Sequence, residues 1–133
     1  MPWLFIDTTR TGICRFGMLE SDGAGVVAQH IKADRLLARI AQRIGLATLQ
    51  HTLSGVCVVA GPGSFSAVRS GVLVANLLAR FLHTPLIGIS MTEAQDLGSV
   101  VRHLEGLKQT SVAATFVAPV YDAEPNITQP ARV

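Results

Sequence analysis

An α/β fold built on one mixed sheet is expected from three features of the chain. Up to Ile31 it carries three short strand patterns separated by turn signals, which makes them antiparallel neighbours. From Ala33 on, helical apolar periodicity alternates with short apolar runs, the pattern of parallel strands joined by helices. The 133 residues are 49% apolar and 15% charged, with a mean hydropathy of +0.41. That suffices for one domain with a substantial core and is far from the composition of a disordered chain.

Trp3 to Ile6 is an apolar run, and Ile13 to Leu19 alternates, with Cys14, Phe16 and Met18 on one face and Arg15 on the other; both predict strands. Thr8 to Gly12 between them is turn-like, and Ser21-Asp22-Gly23-Ala24-Gly25 is a second turn leading into a third strand, Val26 to Ile31. From Ala33 to Ile44 the residues Leu36, Leu37, Ile40 and Ile44 recur at helical spacing, and Gly45 stands where a C-cap glycine belongs. Gly55 to Ala60 does not alternate, which suits a central strand covered on both faces. Gly61-Pro62-Gly63-Ser64 is a sharp turn with Ser64 as N-cap, and Phe65 to Leu82 is a second helix that Pro85 prevents from continuing. Leu86 to Ser90 is the fifth strand. Thr92 begins a third helix, with Glu93 and Asp96 in its first turns and Leu97, Val100, Val101 and Leu104 as its apolar stripe.

The order β-β-β-α-β-α-β-α, with a mixed five-stranded sheet and no internal repeat, resembles the ribonuclease-H-like lobe of the actin and sugar-kinase superfamily. That lobe spans 1–106. The remainder, 107–133, holds an apolar run from Val112 to Tyr121 and then the polar, proline-rich stretch Glu124 to Pro130, expected as a C-terminal strand and an extended or docked tail.

Charge and composition narrow the function. Eleven Lys and Arg are nearly offset by nine Asp and Glu, for a net charge of +2, so a direct grip on RNA is not indicated. The best charge-free runs, Leu53 to Val68 and Ser70 to Ala79, are broken by Gly-Pro-Gly or too short to span a membrane. The opening Met-Pro-Trp-Leu-Phe-Ile-Asp lacks a basic region before its apolar residues, unlike a secretory signal. Cys14 and Cys57 lie in apolar runs outside any ligand pattern and are expected to be buried, reduced thiols, consistent with a cytoplasmic protein.

Two constellations are placed to carry chemistry. In two-lobed phosphotransferases of this architecture, an Asp followed by small hydroxyl residues ends strand one, and a glycine-rich turn ends a later strand, where backbone N–H groups hold phosphate. Asp7-Thr8-Thr9 and Gly61-Pro62-Gly63-Ser64 occupy those places, so Asp7, Thr8, Thr9, Gly61, Gly63 and Ser64 are phosphate-site candidates. The same residues equally serve as turn formers and a helix cap, and Pro62 removes a backbone donor that a phosphate cradle would use. His30, His51, His83 and His103 are scattered without carboxylate partners or metal-ligand spacing, and no metal site is expected. Ser64 lacks the Gly-x-Ser-x-Gly form of a nucleophile elbow, and no catalytic residue is assigned.

The second helix carries the clearest signal. Val68, Val72, Ala75, Ala79 and Leu82 mark one face, while Leu73, Val74, Leu77, Leu78 and Phe81 populate the others. A helix apolar nearly all round must be buried nearly all round, and one sheet covers only one side of it, so a partner surface is expected. On the first helix Arg35, Arg39 and Arg43 form a basic stripe, read either as a solvated face or as a rim of that surface.

The run from Leu53 to Val72, with Gly-Pro-Gly-Ser-Phe-Ser-x-Val-Arg-x-Gly at Gly61 to Gly71, followed by Pro85-Leu86-Ile87-Gly88-Ile89-Ser90, closely resembles the TsaB (YeaZ) family, the dimerisation subunit of the bacterial tRNA threonylcarbamoyladenosine machinery. The resemblance extends to the opening Leu4-Phe5-Ile6-Asp7-Thr8-Thr9, to the Leu36-Leu37-x-x-Ile40 helix and to Pro119-Val120-Tyr121 in the tail. It implies a non-catalytic scaffold without a cofactor, pairing through its two lobe helices with a TsaD-like catalytic subunit. A TsaE-like ATPase completes the assembly, tRNA is met only indirectly, and a homodimer is possible when the chain is alone. Carried over by position, Leu36, Leu37, Arg39, Ile40, Arg43, Arg69, Val72, Ala75, Asn76 and Ala79 would form the partner interface. Typical members continue into a second lobe, which is expected to be absent here and would leave the phosphate-site candidates vestigial. The alternative is a small ATP-binding phosphotransferase or ATPase using Asp7 and the Gly61 to Ser64 turn.

Overall fold

The structure is a computed structural model and describes residues 2–10, 12–19, 25–45, 47–49, 53–63 and 65–107. The expected turn at Ser21 to Ala24, His51, the Ser64 cap and everything from 108 onward, with the expected strand and tail, lie outside the described residues.

Five strands, β1 (Trp3–Arg10), β2 (Ile13–Leu19), β3 (Val26–Gln29), β4 (Gly55–Gly61) and β5 (Leu86–Ser90), form one sheet in the order β3-β2-β1-β4-β5. β1 pairs antiparallel with β2 from Trp3↔Leu19 to Asp7↔Arg15, and β2 pairs antiparallel with β3 from Cys14↔Gln29 to Gly17↔Val26. β4 is parallel to both β1 and β5. The longer helices among the described residues are α1 (Leu36–Ile44), α2 (Phe65–Leu82) and α3 (Leu97–Leu107).

The strand period of two sends alternate side chains to two cores. Leu4, Ile6, Cys14, Phe16, Val56, Val58 and Leu86 face α1 and α2. Trp3, Phe5, Leu19, Cys57, Val59 and Ile89 face the other way, where Val100, Val101 and Leu104 of α3 cover them. Both sets are needed at β4, which is buried along its whole length, and this is why its sequence shows no alternation.

Three expectations need correction. Thr8 to Arg10, expected in the turn-like stretch, belong to β1: the pairing shifts between Asp7 and Arg10, and Arg10↔Ile13 then closes the hairpin. The third strand stops at Gln29. The third helix begins at Leu97, not Thr92, because the chain first makes a 3₁₀ turn over Glu93–Gln95. Ser90 and Glu93 hold that turn reciprocally: the Ser90 N–H donates to Glu93 Oε1 at 3.1 Å, and the Glu93 N–H donates to Ser90 Oγ at 3.1 Å. Asp96 then caps α3, accepting the Ser99 N–H at 3.2 Å and the Ser99 hydroxyl at 2.8 Å, bonds that hold its carboxyl below the usual range.

Helix ends follow local rules. Gly45 takes φ +89° at the end of α1, where its N–H donates to the Ala41 carbonyl at 3.0 Å. At the end of α2 the Thr84 N–H reaches the Ala79 carbonyl at 3.0 Å and the His83 N–H reaches that of Arg80 at 3.3 Å, with His83 at φ +53°. This is a Schellman close with histidine at the position that favours glycine.

Candidate functional site

The two candidate phosphate segments do meet. Gly63 lies against Thr9 and Val68 with no space for a Cβ, and a Cβ on Gly71 would overlap the Thr8 hydroxyl, so α2 sits directly on the end of β1. The polar groups gathered there are committed to one another. Thr8 Oγ1 donates to the Ala67 carbonyl at 2.6 Å. Asp7 Oδ1 accepts the Thr9 N–H at 2.9 Å and the Thr9 hydroxyl at 2.6 Å. Asp7 Oδ2 accepts Arg15 Nε at 2.9 Å and Nη2 at 2.7 Å.

Asp7, Thr8 and Thr9 are all buried. Arg15 extends the network by donating from Nη2 to the Ala94 carbonyl at 3.2 Å, and its guanidinium stacks 5.4 Å from the centre of the Phe5 ring. Each Asp7 oxygen therefore accepts two hydrogen bonds within the chain, the arrangement of a strut joining β1, β2 and the β5–α3 connection. Gly61 is also engaged, its carbonyl accepting the Met91 N–H at 2.9 Å. The Arg15 partnership was not read from the sequence, although the hairpin register that sets it opposite Asp7 follows once the turn is placed between Arg10 and Ile13.

The thiols are buried as expected, and Cys14 donates to the Ile31 carbonyl at 3.6 Å. Burial pushes the Cys57 thiol up to about 12, which makes it unreactive at neutral pH. Among the described residues no group of three His, Cys, Asp or Glu side chains could hold a metal ion, and no helix is long and apolar enough to cross a membrane.

The second candidate region is the outer surface of α1 and α2. Leu73, Leu77 and Phe81, spaced four apart on α2, are 56%, 55% and 64% exposed, and Leu37 on α1 is 43% exposed. A groove of about 640 Å³ runs between the helices, lined by Asp34, Leu37, Ala38, Ala41, Leu77, Leu78 and Phe81. Of the ten interface candidates, Leu37, Arg39, Arg43 and Arg69 are on the surface, and Asn76 is half-buried with its amide donating to the Val72 carbonyl at 2.8 Å. Leu36, Ile40, Val72, Ala75 and Ala79 are instead part of the core against the sheet, so the exposed strip lies on the other face of the helices. The signal for Leu73, Leu77 and Phe81 was the helical phase: they oppose the Val68, Val72, Ala75 and Ala79 face that the sheet covers.

A family model described as TsaD, tRNA N6-adenosine threonylcarbamoyltransferase, matches residues 24–115. The tRNA threonylcarbamoyladenosine biosynthesis protein TsaB of Bacillus subtilis (strain 168) is 37% identical over 71 residues, covering 53% of this chain and 26% of that protein. The tRNA N6-adenosine threonylcarbamoyltransferase of Methylorubrum extorquens (strain PA1) is 39% identical over 64 residues, covering 48% of this chain and 18% of that protein. A solved structure of YeaZ from Pseudomonas aeruginosa superimposes with a TM-score of 0.57 at 26% identity, over 68% of this chain and 45% of that one. The chain thus spans about a quarter or less of these curated relatives and under half of the solved structure.

Proposed function

Since the chain belongs to the TsaD family of tRNA N6-adenosine threonylcarbamoyltransferases and is TsaB/YeaZ-like within it, we propose that it serves threonylcarbamoyl modification of tRNA as a non-catalytic scaffold. In this role it binds and activates a TsaD-like subunit, which carries the transfer to the adenosine beside the anticodon. A TsaE-like ATPase belongs to the larger assembly, and contact with tRNA passes through the partner.

One observation carries this reading: the strip of Leu37, Leu73, Leu77 and Phe81 leaves a contiguous apolar surface over two adjacent helices. Covering these half-exposed side chains removes apolar area from water, so such a surface favours being covered. The rival reading, a small ATP-binding phosphotransferase, needs a carboxylate free to hold a metal-bound phosphate or take a proton. Asp7, the acid at that place, has both oxygens occupied by Thr9 and Arg15. The Thr8 hydroxyl is likewise turned into the α2 backbone.

The test is light scattering on the full chain mixed with the TsaD-like subunit of the same genome. A one-to-one complex that is lost in Leu77→Glu supports the scaffold. A chain that ignores that subunit and binds ATP, with binding lost in Asp7→Ala, establishes the phosphotransferase instead.

A further inference from the structure

The basic residues of the chain are unevenly spread, which its net charge of +2 conceals. Between Asp22 and Glu93 the sequence holds one acid, Asp34, and that residue lies in the groove between α1 and α2. α1 carries two arginines, Arg39 and Arg43, both exposed. A helix advances about 100° per residue, which puts them on one side of the buried Leu36 and Ile40 and the groove residues Leu37 and Ala41 on the other. Arg35, the residue before α1, has helical backbone angles (φ −96°, ψ −2°) and continues the row, with Lys32 exposed beyond it. α1 packs over β2 and α2 over β1 and β4, so the arginine side faces the β3 edge of the sheet, away from the apolar groove.

We infer that this row grips the phosphate backbone of RNA directly. The inference rests on the chain serving a tRNA-modifying assembly, as proposed above, and adds a contact of its own to the one that passes through the partner. Three observations carry it. Arg39 and Arg43 stand one helical step of four apart, about 6 Å, a spacing of the order of that between successive phosphates along a strand. Their side chains have no hydrogen-bond or ion-pair partner among the described residues, so like charges that repel at this spacing are left for an outside anion. The exposed large apolar residues, Leu37, Leu73, Leu77, Phe81 and Met91, all lie elsewhere, and the neighbour within the row is the exposed amide of Gln42. A surface of charge and hydrogen-bond donors without an apolar centre suits phosphate, which guanidinium groups bind in a forked pair, and lacks the core that a protein interface needs.

The experiment titrates a tRNA transcript of the same genome against the full chain in complex with its TsaD-like subunit, over a range of salt concentrations. The variant is Arg39→Gln with Arg43→Gln, both at exposed positions, and light scattering is expected to show its complex with that subunit unchanged. Its tRNA affinity at about 100 mM salt is expected to fall about tenfold or more, and the slope of log affinity against log salt to flatten by about 1.4–1.8, the share of two phosphate contacts. The lysine pair, Arg39→Lys with Arg43→Lys, is expected to restore most of that slope. Equal affinity and slope in wild type and glutamine variant overturn the inference. So does a variant that loses the subunit complex while the chain alone binds tRNA as before, since the row then serves a protein. If the wild-type chain forms no complex at all, the scaffold reading has failed. The row is then judged on the chain alone, where the same flattening supports it and identical slopes overturn it.

Discussion

Asp7 and Arg15 face each other across the β1–β2 hairpin, and both Nε and Nη2 of the arginine donate to the same carboxylate oxygen, at 2.9 and 2.7 Å. The pair is asymmetric in its burial: the Asp7 side chain is 5% exposed and that of Arg15 28%. Removing the arginine leaves a buried carboxylate with half of its partners gone, and it also releases the Ala94 carbonyl that anchors the connection to α3. Arg15→Ala is expected to lose about 2–4 kcal/mol of stability, less than a fully buried pair because solvent still reaches the guanidinium. Urea denaturation checks this, and the double variant with Asp7→Ala is expected to lose less than the sum of the two single losses.

Ala75 and Leu77 sit two residues apart on α2 with opposite environments, one fully buried against the sheet and the other 55% exposed. Ala75→Glu would force a charge into the core and is expected to cost about 4 kcal/mol or more, enough to unfold a marginal domain. Leu77→Glu is expected to change stability by about 0.5 kcal/mol or less while removing the partner contact. Thermal denaturation of both variants, run beside the binding measurement, separates folding from association.

His83 adopts φ +53° in the Schellman close of α2, a conformation that costs a side chain with a Cβ. His83→Gly is expected to raise stability by about 0.5–1 kcal/mol, since the relief of strain exceeds the added freedom of the unfolded chain. A shift of the denaturation midpoint to higher urea, without a change of slope, is the expected result.

Cys57 links stability to alkaline pH. Its thiol ionises at 9.0 in an unfolded chain and near 12 in the fold, chiefly because burial opposes the thiolate, with Glu93 adding to the effect. The unfolded state therefore gives up its proton first, and the stability present below pH 9.0 is lost progressively as pH rises toward about 12. The urea midpoint is expected to fall through that window, and Cys57→Ala to flatten the fall. Native protein at pH 8 is expected to leave the thiol untouched by iodoacetamide.

Much of this molecule was legible along the chain. The unalternated Val56 to Val59 run announced a strand covered on both faces, Gly45 and Pro85 marked helix ends, and the bounds of α2 and β5 agree residue for residue with the structure. These signals are local: a period of two or 3.6, a missing N–H or a missing Cβ acts on neighbours a few positions away. The excess of apolar surface on α2 was equally legible, because counting faces needs only the helical repeat.

The destination of each polar group and each helix face was a different matter. Asp7 and the threonines have the residue types of a phosphate site, and only the three-dimensional register brought Arg15 across the hairpin and Ala67 down from α2 to occupy them. Periodicity divided α2 into faces, but the packing of the helix on the sheet settled that Val72, Ala75 and Ala79 go to the core and left Leu73, Leu77 and Phe81 outside. Such choices depend on pairs of residues far apart in the chain, whose meeting is settled by how whole elements pack rather than by anything a short stretch of sequence encodes.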